Sequence, residues 1–574
     1  MNDISIKMTT RNYKNNQNFC LGVRGGQLQS GAGGATMEKT PIWGGTAMFD
    51  YLIQRARIVD GTGSAPFRGD VGILDGKIRA VGELAGQHAR CTVDARGRFL
   101  TPGFIDVHRH GEAAAFRNGY GKAELAQGLT LVVNGNCGLS MCPVQGPFRQ
   151  EILDYLAPVV GDMPAGCDFT SVAEYRQQLG RVPQRIHSGI LVGMGTLRGC
   201  AAGFRDGRLT DGEYQYLHRL LEQGLADGAL GVSLGLGYAP ECFYDTAGLL
   251  RALEPLRGSG RIVTVHMRQE GDEVVQALEE MLTVARALNT PMQISHLKAI
   301  GKRNWDRCVP KMIELLRSAR AEGVDVTCDV YPYPAGSTQL IHVLPPEFQA
   351  GGMDALTDAL KDPEKRELMK QRMKTGKDFE NISLLVGFEN IQATSLRLPE
   401  NQRYEGKNIL EIAEMQGRDP YDALFDLLAS EHCTPAMIDR ITSGEDIDRI
   451  LAEPYSCVIS DATYPENGLM HPRVYGNIPR LLEHYVRERG FLTIEQAVRK
   501  ITGLPAERFH LTTKGRIAVG MDADLCLFDL ENIHQTGTWQ KPDQLAAGMD
   551  TVFVMGKPAL YEGAFTDHFG GHIL

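Results

Sequence analysis

The stretch FLTPGFIDVHRHGE, Phe99 to Glu112, constrains this chain more than any other. A short apolar run, broken by Pro102 and Gly103, resumes at Phe104 and Ile105 and ends in His108, Arg109 and His110. Side chains alternate faces along an extended strand, so histidines at i and i+2 point the same way and make a two-imidazole clamp. One such pair says little. Four further apolar runs end alike: Cys137 follows LTLVVNGN, His266 follows RIVTV, His296 follows PMQIS and Asp461 follows YSCVIS. Strand-like runs that each deliver a metal-ligand or acid–base side chain are the pattern of an α/β chain folded as a (β/α)8 TIM-like barrel. In such a barrel the chemistry sits at the carboxyl ends of the parallel strands.

Eight strand candidates fit this frame, at 101–108, 129–136, 188–196, 229–237, 261–266, 291–296, 324–331 and 455–460. Helix-like stretches lie between them, among them VAEYRQQLG, DGEYQYLHRLLEQGLADG, EVVQALEEMLTVARAL and RCVPKMIELLRSARAEG. That alternation suits βα units. The seventh and eighth candidates are too far apart for one βα loop. The spacing therefore predicts an inserted lid over the site at about 338–450, within a barrel spanning 101–509. Before the barrel come short β-type runs with an Asp75-Gly76 hairpin signal, and after it GRIAVGMDADLCLFD and TVFVMGKPALYEG. These predict one small β-sandwich domain built from both chain ends, 48–100 and 510–574. Residues 1–47 are polar and glycine-rich and read as a disordered or loosely attached extension.

Composition narrows the partners. A net charge of -10 argues against nucleic acid and anionic membranes. The longest apolar stretches fall short of the ~20 residues of a membrane helix, and the N-terminus has no apolar signal-peptide core. Twelve cysteines without regular spacing read as reduced thiols, which makes the cytoplasm the expected compartment. The oligomeric state is left open.

Cysteine and histidine ligands point to Zn²⁺ rather than Mg²⁺ or Ca²⁺. Most free cysteines are small buried hydrophobes and most lone histidines are satisfied core groups; the shared strand-end position is what favours ligation by Cys137, His266 and His296. Asp461 has the type and place of a general base, although many strand-end aspartates merely cap the next helix. Cationic and hydroxylic groups beside the same strand ends suggest an anionic substrate. Lys298 lies two residues past His296, Tyr331 leads on to Ser337, and Arg473 follows Asp461. An arginine there can clamp a carboxylate bidentately, whereas a lysine acts as a point charge.

The motifs TPGFIDVHRH, NGNCGLSMCPV, GVSLGLGY, HMRQE, SHLK, DVYPYPAGST, LPPEFQAGG, HPRVYGNIPRLL, LPAERFHL and KGRIAVGMDADLCLFD run from Phe49 to the C-terminus. In these the chain resembles the amidohydrolase superfamily and, within it, the D-aminoacylases, or N-acyl-D-amino-acid deacylases. The resemblance implies zinc-dependent hydrolysis of a small-molecule N-acyl-D-amino acid to a carboxylate and a free D-amino acid. It implies one tight zinc held by Cys137, His266 and His296 and a second, weaker position at His108 and His110. Asp461 would be the base and Tyr238 would polarise the scissile carbonyl, while Lys298, Tyr331, Ser337 and Arg473 would hold the α-carboxylate. Two alternatives carry different expectations. A hydantoinase- or dihydroorotase-like cyclic-amide hydrolase, or an isoaspartyl dipeptide hydrolase, would use a carboxylated lysine bridging two metals, and no such lysine stands out near the fourth strand. A non-catalytic barrel scaffold would have lost the ligand set. Two features depart from the family pattern: the extension 1–47, and Arg109 between the histidines, which alternation turns away from the pocket. Phe148, Leu340, Ile341 and the insertion are the candidates for lining the D-side-chain pocket.

Overall fold

The computed structural model describes residues 48–574, so the expectation for 1–47 lies outside the described residues. Eight parallel strand positions carry the centre of the chain: β1 (Phe104–Asp106), β2 (Leu129–Asn134), β3 (His187–Ile190), β4 (Gly231–Gly235), β5 (Ile262–His266), β6 (Met292–Ile294), β7 (Val326–Val330) and β8 (Ser456–Val458). They form two arcs. β1, β2 and β3 pair in that order, and Val192–Gly193, just past the end of β3, opens a second arc through β4, β5, β6, β7 and β8. At the far side the tips beyond β1 and β8 meet, where Ala462 and Thr463 pair in parallel with Arg109 and His110. This is a TIM-barrel architecture, and the strands are buried throughout because helices cover them.

The four quoted helix-like stretches are helical, at Val172–Leu179, Asp211–Ala226, Val274–Leu288 and Cys308–Ala321. The second starts in a capping box, in which the Thr210 hydroxyl accepts from Glu213 N and the Glu213 carboxylate accepts from Thr210 N. Two strand candidates are corrected. The run 188–196 is extended only to Gly193, and Met194–Ala202 is a helix. GILVGMGTL is apolar throughout, and a buried strand and a buried helix cannot be told apart without periodicity. The run 101–108 is two strands in two sheets, because Phe99–Pro102 pairs with Leu525–Phe528. Gly103 makes the crossing possible, since a Cβ there would stand 2.2 Å from Thr130 Oγ1.

Leu525–Phe528 belongs to a nine-stranded sheet in which strands from both ends of the chain lie side by side. Its hairpin Phe67–Leu74 to Lys77–Gly82 turns at Asp75 and Gly76, both with positive φ as a type I′ turn requires. One face buries Ile53, Ile58, Val71 and Ile73 against Leu525, Leu527 and Phe553. Between β7 and β8 the chain builds a three-stranded antiparallel sheet, Ala335–Gln339, Ile391–Thr394 and Ala436–Arg440, with several helices. Residues of this excursion reach the carboxyl ends of the barrel strands. Among the described residues no helix is long and apolar enough to cross a membrane, and the cysteines are unpaired.

Candidate metal centre and active site

The six side chains at the five strand ends converge. Cys137 Sγ lies 3.2 Å from His108 Nε2 and 3.4 Å from His296 Nε2, and His296 Nε2 lies 3.2 Å from His266 Nδ1. Asp461 Oδ1 is 3.2 Å from His110 Nε2 and 3.4 Å from His108 Nε2. All six are buried. Three of them leave their strands through left-handed backbone: φ is +54° at Cys137, +35° at His296 and +52° at Asp461. Such a conformation costs of order 1–3 kcal/mol for a residue with a Cβ and persists only where the surroundings hold it. Here Asp329 Oδ1 accepts from His296 N at 2.5 Å, and Asp461 N donates to His108 O.

The donor set suits a soft divalent cation. A tetrahedral ion with bonds of about 2.0–2.3 Å holds its ligand atoms roughly 3.3–3.7 Å apart, close to the separations seen here. Burial keeps His108, His266 and His296 neutral, the ligating form. Burial, and then the charges of Asp461 and Glu270, push the Cys137 thiol well up; a cation placed among them reverses that preference. The ring nitrogens turned to the centre, His108 Nε2, His110 Nε2 and His266 Nδ1, face other candidate ligand atoms. Three overlapping ligand groups emerge among the described residues: Cys137–His266–His296, His108–His110–Cys137–Asp461 and, at the edge, His266–His342–Glu380.

A cavity opens over the cluster. Tyr238, Lys298, Tyr331 and Ser337 line it with the metal-site residues. Tyr238 Oη bonds Thr338 Oγ1 at 3.0 Å, its ring stacks against His266, and burial pushes its phenol well up. Lys298 Nζ sits 2.6 Å from Glu270 Oε2; burial opposes its charge, and Glu270 outweighs burial and holds the ammonium protonated. Arg473, fully buried over the Tyr331 ring, pairs through one terminal nitrogen with Asp461 Oδ2 at 3.0 Å and Ser337 O at 3.1 Å. Its Nε and other terminal nitrogen have no partner among the described residues. Burial would raise the Asp461 carboxyl, but Arg473, His110 and His108 hold it well below the usual range.

Arg109 faces away from the cavity, as alternation predicts. Its Nε donates to Asp106 at 2.7 Å, and a terminal nitrogen bonds Glu124 at 2.7 Å and the Tyr464 hydroxyl. Phe148, Leu340 and Ile341 do not reach the cavity. Phe148 packs beside Gly203, and Leu340 and Ile341 lie in the main core. The apolar wall is Leu139, Val159, Ile300, Ile382 and Ile441. Sequence reasoning missed Glu270, His342, Glu380 and Asp439. Glu270 carried a usable signal, being four residues past His266 in HMRQE, whereas the other three are brought in by the fold of the insertion.

Residues 91–558 match the model of the amidohydrolase family. The chain is 32% identical to a D-aminoacylase of Alcaligenes xylosoxydans xylosoxydans, over 92% of this chain and 97% of that one. It is also 32% identical to an N-acyl-D-glutamate deacylase from the same source, over 92% and 96%. A crystal structure of N-acyl-D-glutamate deacylase from Bordetella bronchiseptica, complexed with zinc and a phosphonate mimic of the tetrahedral intermediate, superposes with a TM-score of 0.77. The two are 30% identical, over 92% of this chain and all of that one. With its ligand set gathered at the strand ends and these relatives matched over nearly their whole length, the chain belongs to the amidohydrolase family, in the D-aminoacylase group.

Proposed function

We propose that this chain is a zinc-dependent N-acyl-D-amino-acid deacylase that cleaves the amide to a carboxylate and a free D-amino acid. The observation that carries the reading is the spacing of 3.4 Å from Cys137 to His296 and 3.2 Å from His296 to His266, with Asp461 on the same cavity and Arg473 paired to it from behind. Cys137, His266 and His296 would hold the tight zinc, and His108, His110 and Asp461 a second, weaker position. Zinc supplies Lewis acidity toward the scissile carbonyl and acidifies water.

The remaining chemistry belongs to the protein. Asp461 is anionic and accepts the proton of the attacking water, then returns it to the departing amine nitrogen. Tyr238, kept protonated by its burial, donates to the developing oxyanion. Lys298, Tyr331, Ser337 and Arg473 hold the α-carboxylate; the unpartnered Arg473 donors are free for it while its other terminal nitrogen orients Asp461. That anchoring fixes one substituent of the α-carbon, which makes handedness a matter of where the cavity leaves room. The bridging lysine of the cyclic-amide alternative has no counterpart, because Lys298, whose ammonium sits on Glu270, is the only lysine lining the cavity among the described residues. The same reading divides the chain into a β unit of 48–100 and 510–574 and a catalytic barrel of 101–509. The insertion at 338–450 covers the site, a role supported by His342, Glu380 and Asp439 in the cavity wall.

The test is zinc content together with amine release from paired N-acetyl-D- and N-acetyl-L-amino acids. Tightly bound zinc and release from D-substrates alone are expected. Asp461→Asn should lower kcat about 10²–10⁴-fold with the tight metal retained; near-normal turnover would sink the mechanism.

A further inference from the structure

D-Aminoacylase and N-acyl-D-glutamate deacylase are both 32% identical to this chain, so identity does not choose between an uncharged and an acidic D-side chain. The charges of the cavity wall do. Among the described residues lining it, Lys298 is the only lysine or arginine, and it is already paired with Glu270 at 2.6 Å. Arg473, just behind, is paired with Asp461. Both cations are committed to the α-carboxylate in the reading above, on which this inference rests.

Two further carboxylates line the same cavity, and both come from the insertion. Glu380, buried, is bonded to His342 Nε2 at 3.2 Å and accepts from Glu270 N. Asp439, also buried, would stand 3.0 Å from a Cβ at Gly336, beside Ser337. Neither forms an ion pair with a lysine or arginine among the described residues. The apolar part of the wall comes from Leu139, Val159, Ile300, Ile382 and Ile441.

We propose that Glu380 and Asp439 make this cavity selective for N-acyl-D-amino acids with uncharged side chains and exclude N-acyl-D-aspartate and N-acyl-D-glutamate. A second substrate carboxylate would find no unpaired cation in the wall and would lose its hydration beside two like charges. Like-charge juxtaposition in a desolvated site is an effective device of selectivity. The aliphatic side chain of leucine or methionine loses nothing by the same transfer and gains the apolar wall.

The test is kcat/KM of the zinc-loaded full chain on N-acetyl-D-leucine, N-acetyl-D-methionine, N-acetyl-D-aspartate and N-acetyl-D-glutamate, repeated on Asp439→Asn and Glu380→Gln. The uncharged substrates are expected to lead by roughly 100-fold, and each variant to narrow that ratio by about 5–10-fold. Equal or faster turnover of the acidic pair overturns the inference and leaves the deacylase reading standing. No turnover of any D-substrate overturns the deacylase reading itself. A preference that neither variant moves removes Glu380 and Asp439 as its origin. The wild-type ratio decides the substrate class even where a variant fails to fold.

Discussion

Glu270 ties the proposed metal ligands to the proposed carboxylate anchors. Its Oε1 lies 3.0 Å from His296 Nδ1 and its Oε2 2.6 Å from Lys298 Nζ. The Lys298 ammonium that Glu270 holds in turn donates to His296 Nδ1 at 2.8 Å, so Glu270 acts through it on the far nitrogen of that ring, and such outer contacts fix the orientation of a ligating histidine. Glu270→Gln keeps the shape and removes the charge. We expect zinc affinity to fall about 10–100-fold, read by competition with a chelator without any assay of activity, and KM for the N-acyl-D-amino acid to rise. Unchanged affinity and KM would reduce Glu270 to packing. At this scale the convergence of the candidate ligands was legible because Cys137, His266, His296 and Asp461 each end an apolar run, which both folds the residue to the barrel mouth and advertises it. Glu380 and Asp439 could not be read that way. Their neighbours in space, His342 and Gly336, are 38 and 103 positions away in the chain, and only the folded insertion brings them together.

The turns after the strands matter as much as the strands. Cys137 is followed by Gly138, with φ +72°, where a Cβ would stand 1.9 Å from Glu241 Oε2 and 2.7 Å from Gly235 N. Glu241 is itself held in place, since its Oε2 accepts from Gly235 N at 2.8 Å, and burial pushes its carboxyl up to about 8. An added methyl therefore has to displace either that carboxyl or the end of β4, and both back the Cys137 turn. Gly138→Ala should destabilise the fold by about 2–4 kcal/mol and lower the zinc retained after dialysis. Denaturant unfolding and metal analysis of the purified variant check both, and wild-type values for both would show that the turn yields without cost. The glycines of this turn were visible in the sequence as a tight bend around a ligand, but the carboxylate behind them was not. Strand ends were harder to read than strand existence. The apolar run through Gly193 carried no period to separate β3 and its extension from the helix at Met194–Ala202, and the break at Pro102 and Gly103 hid a change of sheet.

At the scale of the whole molecule, the nine-stranded sheet and the barrel are joined by a buried polar knot at the amino end of β3, away from the carboxyl-end chemistry. Asp524, immediately before Leu525–Phe528, places Oδ2 2.6 Å from Lys514 Nζ and 3.1 Å from His187 Nε2, the first residue of β3, and Lys514 Nζ is 2.9 Å from that same imidazole nitrogen. The other Asp524 oxygen accepts from Met555 N at 2.7 Å. Burial would raise the Asp524 carboxyl, but His187 and Lys514 outweigh it and hold the group far below the ordinary aspartate value. A folded-state value below the unfolded one, about 3.9, means that ionised Asp524 contributes its full stabilisation above about pH 4. That contribution is lost as pH falls from there toward the folded-state value. Removing one partner of a buried pair leaves the other charge without compensation and typically costs about 3–5 kcal/mol. Asp524→Asn should therefore cost about that much at pH 7, and the gap to wild type should close by roughly 0.7 kcal/mol at pH 3.5, because there the unfolded wild-type chain already takes up the proton. Denaturant unfolding of both proteins at the two pH values measures the difference directly. A gap that stays constant or widens on acidification would mean that the knot holds sheet and barrel together by shape and hydrogen bonding rather than by the charge on Asp524.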